Sequence, residues 1–132
     1  MELIWKYKID VEDANVFEKI GEKRGIIFPE DLKKFILECN AATPSKYCFM
    51  VGNNERVFGA VLSFNLNETE AESVFDVLPI IVDKNLIPFG VDPFGNYICY
   101  AVREKEIVFW DHETGKVIST GKILKDFIKE LY

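Results

Sequence analysis

Between Leu86 and Gly115 the chain reads LIPFGVDPFGNYICYAVREKEIVFWDHETG, and this stretch constrains the fold more than any other. Phe89-Gly90 and Asp92-Pro93-Phe94-Gly95-Asn96 carry turn signals, because proline fixes φ and glycine accepts positive φ. Tyr97–Val102 and Ile107–Trp110 are rich in β-branched and aromatic residues and flank a charged tip, Arg103-Glu104-Lys105-Glu106. A second turn, Asp111-His112-Glu113-Thr114-Gly115, returns the chain for a third strand over Lys116–Ser119. The pattern predicts an antiparallel meander that carries aromatics and few catalytic groups, a scaffold suited to binding.

Periodicity places the other elements. Leu3, Trp5, Tyr7 and Ile9 alternate with Lys6, Lys8 and Asp10, which predicts a half-buried first strand. A helix is expected from Val11 or Glu12 to Glu22, ending before Gly25. Phe28-Pro29-Glu30-Asp31 opens a second helix, its acids complementing the helix dipole, and it runs to Cys39 with Asn40 as C-terminal cap. Tyr47–Val51 and Arg56–Phe64 form a hairpin around Gly52-Asn53-Asn54-Glu55. Asn67–Leu78 reads as a third helix capped by Asn67, and Lys122–Leu131 as a last one. The expected class is α+β over one domain, 1–132: a mostly antiparallel meander with N-terminal helices and a C-terminal helix packed around it.

Charge is unevenly placed. The chain carries a net −6, and residues 65–83 hold five acidic groups (Glu68, Glu70, Glu72, Asp76, Asp83) and no basic one. On the predicted third helix, Glu68, Glu72 and Asp76 fall at i, i+4 and i+8 as one acidic stripe. Like charges at that spacing cost a helix about 0.2–0.5 kcal/mol per pair. A solvated face accounts for such a stripe; a partner-facing surface is the alternative. An acidic chain without a basic stripe is poorly suited to direct nucleic-acid binding, where Lys and Arg must neutralise phosphates. A basic protein partner suits it better.

Motifs for catalysis are scarce. The sole histidine, His112, sits beside Asp111 and Glu113 on a turn, where adjacent residues rarely converge, and no Ser or Cys is tied to them by a motif. Cys39, Cys48 and Cys99 form no CxxC pair, so no transition-metal or cofactor site is expected and reduced core thiols are. The glycines are scattered and cradle no phosphate. Asp92 fits a turn role. Met1–Lys6 lacks a signal peptide's pattern, and no apolar run reaches the roughly 18 residues of a membrane span. A soluble, cytoplasmic, non-enzymatic protein is the expectation. In Ile107-Val108-Phe109-Trp110 one of the two rings faces away from the packed side unless helices cover both faces. Trp110 is therefore either core or part of a partner surface, with Asp111 and Glu113 beside it.

Several of these segments together resemble the SUKH superfamily, which is related to yeast cell-wall-synthesis regulators and abundant in bacteria. The resemblance rests on Phe28-Pro29-Glu30-Asp31-Leu32-Lys33-Lys34-Phe35 with Asn40 after it, on Ile87-Pro88-Phe89-Gly90, and on Asp92-Pro93-Phe94-Gly95-Asn96-Tyr97. Val108-Phe109-Trp110-Asp111-His112-Glu113 and Phe127-Ile128-Lys129-Glu130-Leu131-Tyr132 extend it in the same order. The chain departs at Ala41-Ala42, where many members carry Gly-Gly. The resemblance implies an α+β fold, no catalytic residues, and an immunity role: binding and neutralising a cognate toxin protein, often a nuclease. A basic nuclease toxin would meet Glu68, Glu72 and Asp76 first, with Trp110, Asp111 and Glu113 as a second patch. A regulatory or scaffolding role unlinked to a toxin is the alternative, and a small-molecule-binding or hydrolytic domain a third.

Overall fold

The computed structural model describes residues 2–132. Its frame is a five-stranded sheet in which each strand pairs antiparallel with the next: β5 (Ala60–Val61), β6 (Leu86–Val91), β7 (Tyr97–Ala101), β8 (Glu106–Trp110) and β9 (Val117–Lys122). Two small ribbons precede it, β1 (Trp5–Lys6) with β2 (Thr43–Pro44), and β3 (Cys48–Val51) with β4 (Asn54–Val57). The helices are α1 (Val16–Arg24), α2 (Glu30–Cys39), α3 (Val74–Val77) and α4 (Leu124–Lys129). This is the α+β class expected from the sequence, with the meander in its predicted order.

Both faces of the central strand are buried. Alternation along β7 puts Ile98 and Tyr100 on one face and Tyr97 and Cys99 on the other, and all four are buried. Tyr100 donates to Asp31 of α2, at 3.0 Å to Oδ1. Phe109, fully buried on β8, faces Phe49, whose ring meets Phe127 of α4 at 5.0 Å. Phe58, Phe89, Phe35 and Trp5 continue this ring cluster. A second cluster joins Phe17, Phe28 and Phe64, which locks α1 and the start of α2 onto the chain leading out of β5. The high phenylalanine content is thus spent on edge-on and tilted ring contacts, each favourable beyond the area buried.

Several sequence expectations are corrected, each for an identifiable reason. The first strand shortens to Trp5–Lys6 because Tyr7 takes φ +67, which breaks the alternation and leaves its ring 79% exposed. The first helix starts at Val16, since the chain before it is tied to remote segments: the amide of Ile9 bonds the Asn40 carbonyl and that of Glu12 bonds Asn65 Oδ1. It ends as expected at Gly25, with φ +67, while the Ile26 amide reaches the Gly21 carbonyl at 2.9 Å. In the β3–β4 hairpin, Asn54 and Glu55 join the strand and the turn shrinks to Gly52-Asn53. Phe89-Gly90 is no turn but the middle of β6, at a bulge between Pro88 and Gly90. A Cβ on Gly90 would stand 2.7 Å from the Phe58 ring, so glycine serves close packing there.

The largest correction concerns residues 67–78. Only Val74–Val77 is helical, capped by Ser73 Oγ, which accepts from the Phe75 amide at 3.2 Å. The segment before it is pinned to Ser63: the Ser63 amide bonds the Glu72 carbonyl and the Val74 amide bonds the Ser63 carbonyl, both at 2.8 Å. Those backbone groups are taken by a remote residue, so the helix cannot propagate backwards.

Candidate partner-binding surface

Without a continuous helix, Glu68, Glu72 and Asp76 do not form a stripe. Glu68 turns inward to its own loop: Oε1 accepts from Ser63 Oγ at 2.6 Å and Asn65 Nδ2 at 3.3 Å, and Oε2 accepts from the amides of Thr69 and Glu70. The Ser63 hydroxyl and these other donors hold its carboxyl below the usual range. Glu68 therefore shapes the loop, while Glu70, Glu72 and Asp76 are exposed.

Glu72 instead meets the sheet. Its Oε2 accepts from the Tyr97 hydroxyl at 2.5 Å. Tyr97 pairs across the strands with Trp110, their ring centroids 5.8 Å apart at 36°. Burial raises the Tyr97 phenol well above its ordinary pKa, and the charges of Glu72, Asp76 and Asp92 push the same way. Asp76 thus shares the electrostatic environment of the Glu72–Tyr97 pair. The acidic residues and Trp110, which sequence reading placed in separate patches, are joined here through one buried tyrosine. Trp110 itself is half-buried on the face opposite Phe109, so one ring is core and the other reaches solvent.

The turn beyond Trp110 is rigidly built. Asp111 Oδ1 accepts from the Glu113 amide at 2.8 Å, and the Gly115 amide closes on the Asp111 carbonyl at 2.7 Å. Asp92 accepts from the amides of Phe94 and Asn96 and from Asn96 Nδ2. Asn96 Oδ1 then accepts from the His112 amide, and His112 Nδ1 lies 2.7 Å away as a second donor. Asp92 and Asn96 are buried and clamp two turns together, while His112 and Glu113 stay exposed. No nucleophile converges on the histidine in these contacts, and its ring serves the clamp.

On the other side of Glu72 lies a groove of about 500 Å³ lined by Tyr7, Ile9, Ala41, Thr43, Glu70 and Glu72, among others. Tyr7 and Ala41, two of its walls, both hold left-handed backbone conformations, at φ +67 and +64. Sequence reading missed Tyr7, Glu70 and Tyr97 as part of this surface. The only forewarning was the Ala41-Ala42 departure, which marked a backbone position that favours glycine.

Among the described residues, no group of three His, Cys, Asp or Glu side chains is arranged to hold a metal ion, and no helix is long and apolar enough to cross a membrane. All three cysteines are free; burial pushes the Cys39 thiol up to about 11 and Cys99 higher still. Burial thus favours the protonated form of Cys39 and Cys99 at neutral pH. A family model described as SMI1-KNR4 cell-wall, SUKH_6, matches residues 15–128. No curated protein matches the chain.

Proposed function

The chain belongs to the SMI1-KNR4 family of the SUKH superfamily, and from that membership we propose that it is a cytoplasmic immunity protein that binds and neutralises a cognate toxin. The family's immunity and regulatory members act through protein–protein contacts, which supports a binding role for this chain. The observation that carries the proposal is the Glu72–Tyr97–Trp110 unit, which sets an exposed carboxylate beside a half-exposed indole. Asp76 adds charge to it, Asp111 and Glu113 form its rim, and Glu68 holds the loop that presents Glu70 and Glu72. Aromatic anchors bordered by charge are the usual makings of a binding hot spot. The partner that fits is a basic protein, a nuclease domain above all. Covering its cationic active site would exclude substrate phosphates, and long-range attraction would speed association.

Co-expression with any toxin domain encoded beside this chain tests the proposal. Rescue of growth together with co-purification is the expected result; the absence of both overturns it. The family description also names cell-wall proteins, which favours a second reading, a regulatory module that binds a cellular protein unlinked to any toxin. That reading predicts no toxin gene nearby and no protection from one.

A further inference from the structure

A second surface carries the opposite charge. Lys23 and Arg24 at the end of α1, with Lys84 after α3, line a depression of about 350 Å³ with Phe75, Leu78 and Val82, and no acidic side chain lines it. Val82 is 82% exposed, a heavy exposure for a branched aliphatic side chain on a chain with net charge −6. Its cations are not spent on carboxylates: among the described residues none of the three makes an ion pair. The Lys23 ammonium sits 5.6 Å over the Phe75 ring. The Arg24 guanidinium is buried and donates only to backbone, to the carbonyls of Ile81 (2.7 Å), Asp83 (3.0 Å) and Leu78 (3.0 Å). The Asp83 carboxylate turns to the Asn85 amide at 2.9 Å and acts on Arg24 only through space.

Arg24 does two things at once. Its three bonds fasten the loop after α3 to α1, so the hollow is preformed, and no carboxylate makes a direct ion pair with it at the floor. An apolar hollow with unspent positive charge complements a protein segment that couples an aliphatic or aromatic anchor to Asp or Glu. We propose that this depression docks such an acidic, apolar-tipped segment of a partner protein, separately from the Glu72–Tyr97–Trp110 surface. A concave site of this size admits a side chain or two, whereas a bilayer presents a plane.

A short fluorescent peptide in which glutamate and leucine alternate is the probe, with two controls: lysine for glutamate, and serine for leucine. The expected result is saturable binding of the first peptide alone, with amide shift changes centred on Lys23, Phe75 and Val82 in the intact chain. Lys23→Glu with Lys84→Glu, and separately Val82→Asp, should each weaken it about tenfold, as loss of a charge pair or an anchor does. All three side chains are exposed, so folding should persist, and the shift map on the unaltered chain locates the site if a variant fails. No saturable binding, equal binding of either control, or shifts centred elsewhere overturns the proposal. So does binding to phosphatidylserine vesicles that the peptide does not compete away. None of these outcomes bears on protection from a toxin, which the co-expression experiment reads separately.

Discussion

The Tyr97 hydroxyl donates to the Glu72 carboxylate at 2.5 Å, tying the loop after β5 to the central strand of the sheet. The partners lie on elements that share no local sequence signal, and the phenol is buried while the carboxylate is exposed. Tyr97→Phe leaves an acceptor that water can satisfy. The expected cost is about 1 kcal/mol, the usual net worth of such a bond, read from the urea midpoint.

The same burial sets a pH dependence. Burial, then the neighbouring acids, raises the Tyr97 phenol, and burial with Asp31 pushes Tyr100 up to about 12. The fold favours the neutral phenols. The stability they contribute is therefore complete below the unfolded value near 10 and is lost as pH rises through the higher folded values. Phenolate absorbance should show late-titrating tyrosines in the native protein, and Tyr97→Phe and Tyr100→Phe should each remove one of them. An alkaline titration in which neither variant changes the late phase would contradict the assignment.

Asn40 is completely buried and bridges two remote segments. Its Nδ2 donates to the Ile9 carbonyl at 2.9 Å and its Oδ1 accepts from the Phe64 amide at 2.8 Å. It is the C-terminal cap of α2, as the sequence suggests, with its backbone at φ −51, ψ 127, outside the left-handed region. Asn40→Ala strands a buried amide and leaves a part-buried carbonyl without its donor, for an expected loss of about 2–3 kcal/mol. Asn40→Asp should cost less at low pH than at neutral pH, because only the protonated acid can still donate. Denaturation at two pH values distinguishes the two effects.

The left-handed conformation common just past a helix end falls instead on Ala41, at φ +64. An L-residue there costs roughly 1–2 kcal/mol, partly repaid by its smaller backbone entropy in the unfolded chain. Ala41→Gly should therefore stabilise the fold by about 0.5–1 kcal/mol, seen as a higher melting temperature. Unchanged or lowered stability would mean that packing of the buried Ala41 methyl outweighs the strain.

Legibility in the sequence followed the range of the forces involved. The meander was readable because Asp92-Pro93 and Asp111–Gly115 close turns with their own side chains and amides. The helix over Asn67–Leu78 was misread because Ser63 captures its backbone groups, and a spacing rule contains no term for that. Phe89-Gly90 was misread because glycine marks both turns and close approaches, and only the Phe58 ring tells them apart. The acidic segment was found by counting charge, but its assembly with Trp110 depends on Tyr97, which no local pattern singles out.

That assembly separates two acids that look equivalent in sequence. Glu68 is consumed by four donors in its own loop, whereas Glu72 has one donor and Asp76 is exposed. Glu68→Gln should lower stability by about 1 kcal/mol through weakened charge-assisted bonds, and alter affinity for a basic partner little. Glu72→Lys with Asp76→Lys should do the reverse: affinity falls at least about tenfold at low salt, most of it in the association rate, and the loss shrinks as salt screens the field. Measured side by side against a basic protein partner, the variants give four numbers, two stabilities and two affinities. If Glu68→Gln weakens binding as much as the double reversal while the fold holds, the loop carboxylate is itself a contact and the surface must be redrawn around it.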